Sequence, residues 1–196
     1  MRDAAPRAHA RDVSGEAAMT LTIIHGAQTG VDRGAHEGAC DNGWQVGGYM
    51  SKNRCDELGA IPADVAAHLE PCVTSGYPAR TSANLRMAHA LLVVVPDKHD
   101  PYATPGTRLT LVEAREINLP RLVIDPDEDM RVLGTWIHML RVRQAREDLR
   151  IMVAGPRESR WASGRVDTAA LLRRLKIQLD AGPPVRRPRL ARDDRQ

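Results

Sequence analysis

The sequence of 196 residues contains no phenylalanine and only three tryptophans and three tyrosines. Proteins that bind single-stranded nucleic acid usually stack bases on several aromatic side chains, so this scarcity argues against that class. The longest uninterrupted apolar run covers residues 90–95, whereas a transmembrane helix needs roughly 20 such residues. We therefore expect neither a nucleic-acid partner nor insertion into a membrane.

Cysteine is also scarce, and Cys40, Cys55 and Cys72 are the three in the chain. An odd number without CxxC spacing argues against a disulfide framework and against a zinc knuckle. The seven histidines form no HExxH or comparable pair, so no protein-ligated metal is predicted. Residues 1–18 hold no continuous apolar segment of the kind found in signal peptides. These features predict a protein of the reducing cytoplasm.

The excess of basic charge lies at one end of the chain. The formal net charge is +3, and residues 181–196 contain five arginines and two aspartates, which account for all of it. The rest of the chain is neutral, so net charge gives no argument for nucleic-acid binding. We predict a disordered N-terminal extension over residues 1–18, a single ligand-binding domain over residues 19–180 and a disordered basic tail over residues 181–196.

Short apolar segments alternate with helical patterns along the predicted domain. Strands that alternate with helices favour an α/β fold, in which a mostly parallel sheet is flanked by helices in three layers. Residues 49–61 are predicted as a long polar loop, followed by one or two helical turns at residues 62–68. Strands are predicted at residues 21–24, 44–46, 71–74, 90–95, 121–124 and 151–154, and helices at residues 30–41, 81–89, 107–118, 127–148 and 166–179.

Polar segments that contain glycine follow four of the predicted strands. Ligands of open parallel sheets bind beyond the carboxyl ends of the strands, so we expect these segments to meet at one crevice. Helices begin at Gly30 and Thr107, and the free N–H groups of a helix start attract anions. Neither place has a GxGxxG or GxxxxGK[ST] pattern, and an ordinary turn or a simple N-cap is the alternative at each. The segments are residues 25–32, 47–54, 96–107 and 154–159.

No arrangement for nucleophilic catalysis stands out in the sequence. Cys55 stands beside Asp56 and has no activating group next to it other than Arg54, so nothing favours a reactive thiol. A GxSxG nucleophile elbow is absent. Asp32 is equally explained as an acid that stabilises the first turn of a helix.

The motifs of these segments occur in the order GAQTGVD, GGYMSKNR, RTSANL, PGTRLT and VAGPRES. In this order they resemble the molybdenum-cofactor carrier family, a circularly permuted YpsA-like branch of the SLOG superfamily of Rossmann-like ligand-binding proteins. The resemblance covers about residues 21–178. Family members usually have SGGQTGVD, so His25 and Ala27 depart from the pattern. Met50 and Ser51 also depart, because a cysteine and a proline usually stand there.

The resemblance implies a Rossmann-like domain that binds a phosphorylated ligand, either the molybdenum cofactor or a nucleotide-like molecule. It also implies a homo-oligomer, a dimer or a tetramer. With no convincing nucleophile or base in the sequence, we interpret the protein as a carrier or sensor without catalytic residues. The ligand-binding residues that the resemblance implies are Gly26, Gln28, Thr29, Gly30, Asp32, Lys52, Arg54, Glu57, Arg80, Thr81, Asn84, Gly106, Thr107, Thr110, Arg157, Glu158 and Ser159.

Two other functions stay open at this point. The related LOG proteins carry PGGxGTxxE, whose glutamate acts on the ribosyl bond of nucleoside monophosphates. A carboxylate suits that role because it can stabilise positive charge on the ribose and activate water. Here Thr110 stands in place of the glutamate, and Glu113 lies one turn later, about 5 Å further along the helix axis. A phosphoribohydrolase that uses Asp32 or Glu57 is one alternative, and an interaction protein with a non-functional pocket is the other.

Overall fold

The computed structural model describes residues 20–146 and 148–182. The predicted N-terminal extension and residues 183–196 of the predicted basic tail lie outside this range. The elements are β1 (Thr20–Ile24), α1 (Val31–Asp41), β2 (Gln45–Gly47), β3 (Tyr49–Met50), β4 (Cys55–Asp56), β5 (Gly59–Ala60), α2 (Ala63–Ala66), β6 (Glu70–Pro71), α3 (Tyr77–Met87), β7 (Ala90–Val94), α4 (Pro105–Glu116), β8 (Arg121–Ile124), α5 (Met130–Gln144), β9 (Asp148–Ala154) and α6 (Gly164–Asp180).

The main sheet has five strands in the order β2-β1-β9-β7-β8, and all neighbouring strands in it run parallel. The predicted parallel sheet is therefore confirmed. The strand in the middle is β9, the last strand among the described residues, whereas β7, the most apolar strand in the sequence, lies beside it. Consequently the carboxyl ends of β1, β9 and β7 stand next to one another, and the loops that follow them share one edge.

Alternating side chains of β7 enter two separate cores. Leu92 and Val94 pack in a cluster with residues of α1, α5 and α6, whereas Leu91 and Val93 pack with residues of α3 and α4. Successive side chains of a strand point to opposite faces of the sheet, so both faces of β7 are covered by helices. This arrangement confirms the predicted three layers.

Small residues on α1 allow α6 to approach it closely. A Cβ atom at Gly34 would lie 2.2 Å from the carbonyl oxygen of Arg165, and one at Gly38 would lie 2.8 Å from the Cβ of Leu172. Any larger side chain at either position would force the two helices apart. This packing holds the start of α1 near the segment that joins β9 to α6.

The predicted loop over residues 49–61 contains three short strands. The strand β3 pairs with β6 in parallel, and β4 forms a small hairpin with β5. Met50, Ile61, Val65 and Leu69 are buried together against Ala27. This small apolar cluster attaches the segment to the loop after β1, although most residues of the segment are polar.

Three helices begin earlier than the sequence analysis predicts, and one of them, α6, begins at Gly164 rather than at residue 166. The helix α4 begins at Pro105, because the side chain of Thr104 accepts a hydrogen bond from the Thr107 N–H and serves as the N-cap. Thr107 is therefore not the N-cap. The helix α3 begins at Tyr77, with Pro78 in its first turn, where the missing N–H of proline breaks no helical hydrogen bond.

Candidate functional site

A cavity of about 340 Å³ opens at the carboxyl edge of the main sheet. Met152 and Ala154 from the end of β9 line it together with the loop after β1 and the first turns of α3 and α4. Small-molecule sites in proteins usually enclose about 300 to 1,000 Å³. The cavity therefore lies where the fold predicts a ligand site and has room for a small ligand.

The N–H groups of the loop after β1 bind acceptors of the protein itself. The N–H groups of Gly26 and Gln28 donate to Oδ2 of Asp32 over 3.1 and 3.0 Å. The Thr29 N–H donates to Oε1 of Gln28, and the Val31 N–H donates to a carbonyl in the loop after β9. This loop therefore presents the side chains of Gln28 and Asp32 to the cavity rather than a row of free N–H groups.

Asp32 is the one carboxylate among the described residues that line the cavity. Burial raises the pKa of Asp32 above its ordinary value, although the charge of Arg80 and the N–H groups of Gln28 and Gly26 oppose the shift. Two hydrogen bonds to Oδ2 hold this carboxyl group in place. A fixed carboxyl group in a small cavity can accept a hydrogen bond from an amine or hydroxyl group of a ligand.

The start of α4 is open to the cavity at Gly106. A Cβ atom at Gly106 would meet no heavy atom within 4 Å, and the residue lines the cavity. The Gly106 N–H has no hydrogen-bond partner among the described residues. The start of a twelve-residue helix carries a partial positive charge as well as free donors, which together favour an anion.

Arginines dominate the charge around the cavity. Arg80, Arg157 and Arg160 line it, against the single carboxylate of Asp32. Arg80 donates from Nη1 to the carbonyl of Gly26 over 3.0 Å, while its buried Nε has no partner among the described residues. Arg160 forms no salt bridge with any of the described residues. Guanidinium groups bind phosphate oxygens through charge-assisted hydrogen bonds, so this lining favours a phosphorylated ligand.

Glu57 joins three loops behind the cavity. Its carboxylate accepts hydrogen bonds from the hydroxyl of Thr29 and from both the N–H and the hydroxyl of Ser159. It also pairs with Nε of Arg157 over 3.2 Å. Burial alone would raise the pKa of Glu57, but the hydrogen bonds from Ser159 and Thr29 and the charge of Arg157 lower the pKa below its ordinary value. We call these four residues the Glu57 network, and it fixes the position of Arg157.

Of the residues implied by the family resemblance, nine line the cavity. Gly106, Thr110 and Arg157 reach it from α4 and from the loop after β9, so segments far apart in sequence converge as expected. Asn84 also binds the backbone of Tyr49 through its side-chain amide, which ties α3 to β3. The nine are Gly26, Gln28, Asp32, Arg80, Thr81, Asn84, Gly106, Thr110 and Arg157.

Five of the other implied residues lie close to the loop contacts behind the cavity. Thr29, Glu57 and Ser159 belong to the Glu57 network, and the Glu158 N–H donates to the hydroxyl of Thr29 over 3.1 Å. Gly30 has a φ of +68°, which favours glycine, and a Cβ there would lie 2.6 Å from a carbonyl oxygen of the loop after β9. These five residues hold the loops together instead of facing the cavity.

Three implied residues lie elsewhere. Lys52 lines a separate depression beyond Tyr77, and Arg54 lines a shallow one beside β4 and β5. Thr107 is buried at the start of α4, where its hydroxyl contacts that of Thr104 over 2.8 Å.

Two residues that the sequence analysis did not single out also line the cavity. Arg160 follows Arg157 by three residues in a tight turn, in which the N–H of Arg160 donates to the carbonyl of Arg157. Tyr77 stands at the first position of α3, and its ring lies against the guanidinium of Arg80, whose Cζ is 5.2 Å from the ring centroid. Two features of the sequence could have indicated these residues. One is the three-residue spacing of the two arginines, and the other is the position of the tyrosine just before the RTSAN motif.

A buried pair of histidines lies beneath the loop after β1. His25 accepts the Ala27 N–H at Nδ1 over 3.1 Å. Its Nε2 therefore carries the hydrogen and donates to Nδ1 of His36, 3.2 Å away. Burial lowers the pKa of His25 well below its ordinary value, and burial together with the charge of His68 lowers the pKa of His36.

We expect the free energy of unfolding to decrease as the pH falls below about 6.5. The unfolded chain binds protons at both histidines near their ordinary pKa, whereas the folded chain resists protonation, so acid favours unfolding. Each group contributes at most about 1.4 kcal/mol per pH unit between its unfolded and folded pKa values. Urea titrations across this range measure the slope. His36→Gln should reduce this slope, and an unchanged slope in the variant would contradict the assignment.

The described residues contain no group of three or more histidine, cysteine or acidic side chains that could hold a metal ion. Among the helices of residues 20–146 and 148–182, none is long and apolar enough to cross a membrane.

Comparisons with known proteins agree with the fold and with the family resemblance. The model of the circularly permutated YpsA SLOG family matches residues 23–176. A crystal structure described as “Putative molybdenum carrier protein” from Syntrophus aciditrophicus has a TM-score of 0.68 and 29% sequence identity to this chain. The match covers 81% of this chain and 95% of that one. No curated protein matches the chain. The family match spans most of the sequence, and the chain belongs to the circularly permutated YpsA SLOG family.

Proposed function

We propose that the protein binds a phosphorylated small molecule in the cavity without transforming it, as a carrier or a sensor. The observation that carries the proposal is the lining of the cavity by Arg80, Arg157 and Arg160 together with the open helix start at Gly106, opposed by one carboxylate. Guanidinium groups and helix N-termini are the groups that proteins use to bind phosphate.

The molybdenum cofactor and a nucleotide-like molecule are the two ligands that fit this proposal. Both join a phosphate to a planar heterocycle with polar edges, and the crystal structure from Syntrophus is described as a molybdenum carrier. The cofactor would be cargo, and it brings its own metal ligands. The lack of a metal-ligating cluster among the described residues is compatible with such cargo. A homo-oligomer stays a prediction from the family resemblance, and a cytoplasmic location stays a prediction from the cysteine content.

The positions of the carboxylates support binding over hydrolysis. Thr110 lines the cavity at the position of the LOG glutamate, and its hydroxyl donates to the Gly106 carbonyl over 3.0 Å. Glu113 does not line the cavity, and Glu57 is held in its network. Hydrolysis would therefore depend on Asp32 alone, and one oxygen of its carboxyl group already accepts hydrogen bonds from two N–H groups.

We expect AMP incubated with the wild-type protein to release no adenine, because no free carboxylate stands at the position of the LOG glutamate. Chromatography of the products measures the release. Thr110→Glu supplies a carboxylate at that position, so adenine release by this variant alone would support the proposal. Adenine release by the wild-type protein that is lost in Asp32→Asn would contradict it.

A further inference from the structure

We infer that the planar ring of the ligand stacks on Tyr77 and extends from the cavity into a second depression next to it. The inference rests on the proposed function, because it assumes a phosphorylated ligand in the cavity. It adds a ring-binding subsite and a residue that determines specificity.

Of the described residues, Tyr77 is the one that lines both the cavity and the second depression. The second depression measures about 500 Å³ and lies between the start of α3 and the turn after β3. Arginines lie on the cavity side of Tyr77, whereas the second depression is lined by Lys52 and by small polar residues. A ligand whose phosphate lies among the arginines therefore meets the tyrosine ring before it reaches the second depression.

The tyrosine ring is both held and accessible. The Arg80 guanidinium lies 5.2 Å from the ring centroid, and a guanidinium over an aromatic ring is an attractive contact. Arg80 is in turn held by its hydrogen bond to the Gly26 carbonyl. Tyr77 nevertheless remains 45% exposed, so ring surface is left for a ligand. A fixed and accessible aromatic ring is the kind of surface on which heterocycles stack.

The second depression suits the polar edge of a heterocycle. Lys52 and Asn53 line it with an ammonium and an amide group, and no described carboxylate does. The hydroxyl of Ser51, also in the lining, already exchanges hydrogen bonds with the backbone of Cys55. The available groups are mainly donors, which match the carbonyl oxygens and ring nitrogens of a pterin or purine.

The test compares ligands with and without a ring. Ribose 5-phosphate, AMP and the pterin ester neopterin phosphate are titrated calorimetrically into the wild-type protein and into Tyr77→Ala, Tyr77→Phe and Tyr102→Ala. Tyr102 is the matched control, because it is 46% exposed and lines neither hollow. We expect at least one ring-bearing ligand to bind more tightly than ribose 5-phosphate, by roughly 5- to 100-fold.

Tyr77→Ala should remove most of this difference, while Tyr77→Phe and Tyr102→Ala preserve it. The ring that binds more tightly, purine or pterin, then identifies the class of heterocycle in the ligand. If ribose 5-phosphate binds as tightly as both ring-bearing ligands, or if Tyr77→Ala weakens all three equally, this inference is wrong and the phosphate site stands. If none of the three binds, both the inference and the proposed function are contradicted.

Discussion

Replacing Gly106 with aspartate is expected to abolish binding of phosphorylated ligands while the protein remains folded. The Cβ of the new side chain enters open space in the cavity, and its carboxylate then stands at the start of α4, where we place the phosphate. Two like charges brought together in a binding site cost several kcal/mol. We therefore expect the affinity to fall by about 100-fold or more.

The same substitution should not destabilise the fold. An acidic residue in the first turn of a helix is stabilised by the helix dipole by about 0.3 to 1 kcal/mol, and glycine is a poor helix former. Calorimetric titration with the phosphorylated ligands, with thermal unfolding alongside, measures both effects. Gly106→Asn is the matched control, since it adds similar volume without charge and should weaken binding less. Unchanged affinity in Gly106→Asp would show that the start of α4 does not bind the phosphate.

Truncation of Glu57 to alanine is expected to lower the free energy of unfolding by about 2 to 3 kcal/mol. The carboxylate has 11% of its side-chain surface exposed and accepts from Thr29 and Ser159 as well as from Arg157. Its removal leaves these donors without an acceptor and disconnects three loops. We also expect weaker ligand binding, because Arg157 loses the contact that positions it.

Glu37→Ala is the control for this prediction. Glu37 pairs with Arg165, which is 53% exposed, and a salt bridge at the surface contributes about 0 to 1 kcal/mol. Urea denaturation of the two variants and the wild type gives the comparison. Equal destabilisation by the two truncations would mean that the Glu57 network adds nothing beyond an ordinary surface pair.

Local sequence patterns predicted the elements of the fold better than their order in space. The run over residues 90–95 is apolar because helices cover both faces of β7, and this is visible in sequence. The place of β9 between β1 and β7 depends on pairing between distant segments, which no local pattern encodes. The starts of α3 and α4 lie earlier than predicted, because a proline in each first turn, Pro78 and Pro105, is compatible with the beginning of a helix.

The sequence predicted which loops meet at the edge of the sheet. It did not predict the contacts between side chains of different loops. The loops after β1 and β9 and the start of α4 had to meet in a parallel sheet, and they do. Lys52 and Arg54 face other hollows because the segment around them folds into short strands. The sequence could not show that Glu57 binds the other loops, since its partners lie more than 25 residues away.

The most direct test of the central claim is to identify the small molecule bound to the purified protein. The protein is prepared from a host that makes the molybdenum cofactor, denatured, and analysed by mass spectrometry together with assays for molybdenum and oxidised pterin. The account predicts a stoichiometric phosphorylated molecule, and its loss from Gly106→Asp prepared in the same way. A bound molecule without phosphate, or one retained in full by Gly106→Asp, would contradict it.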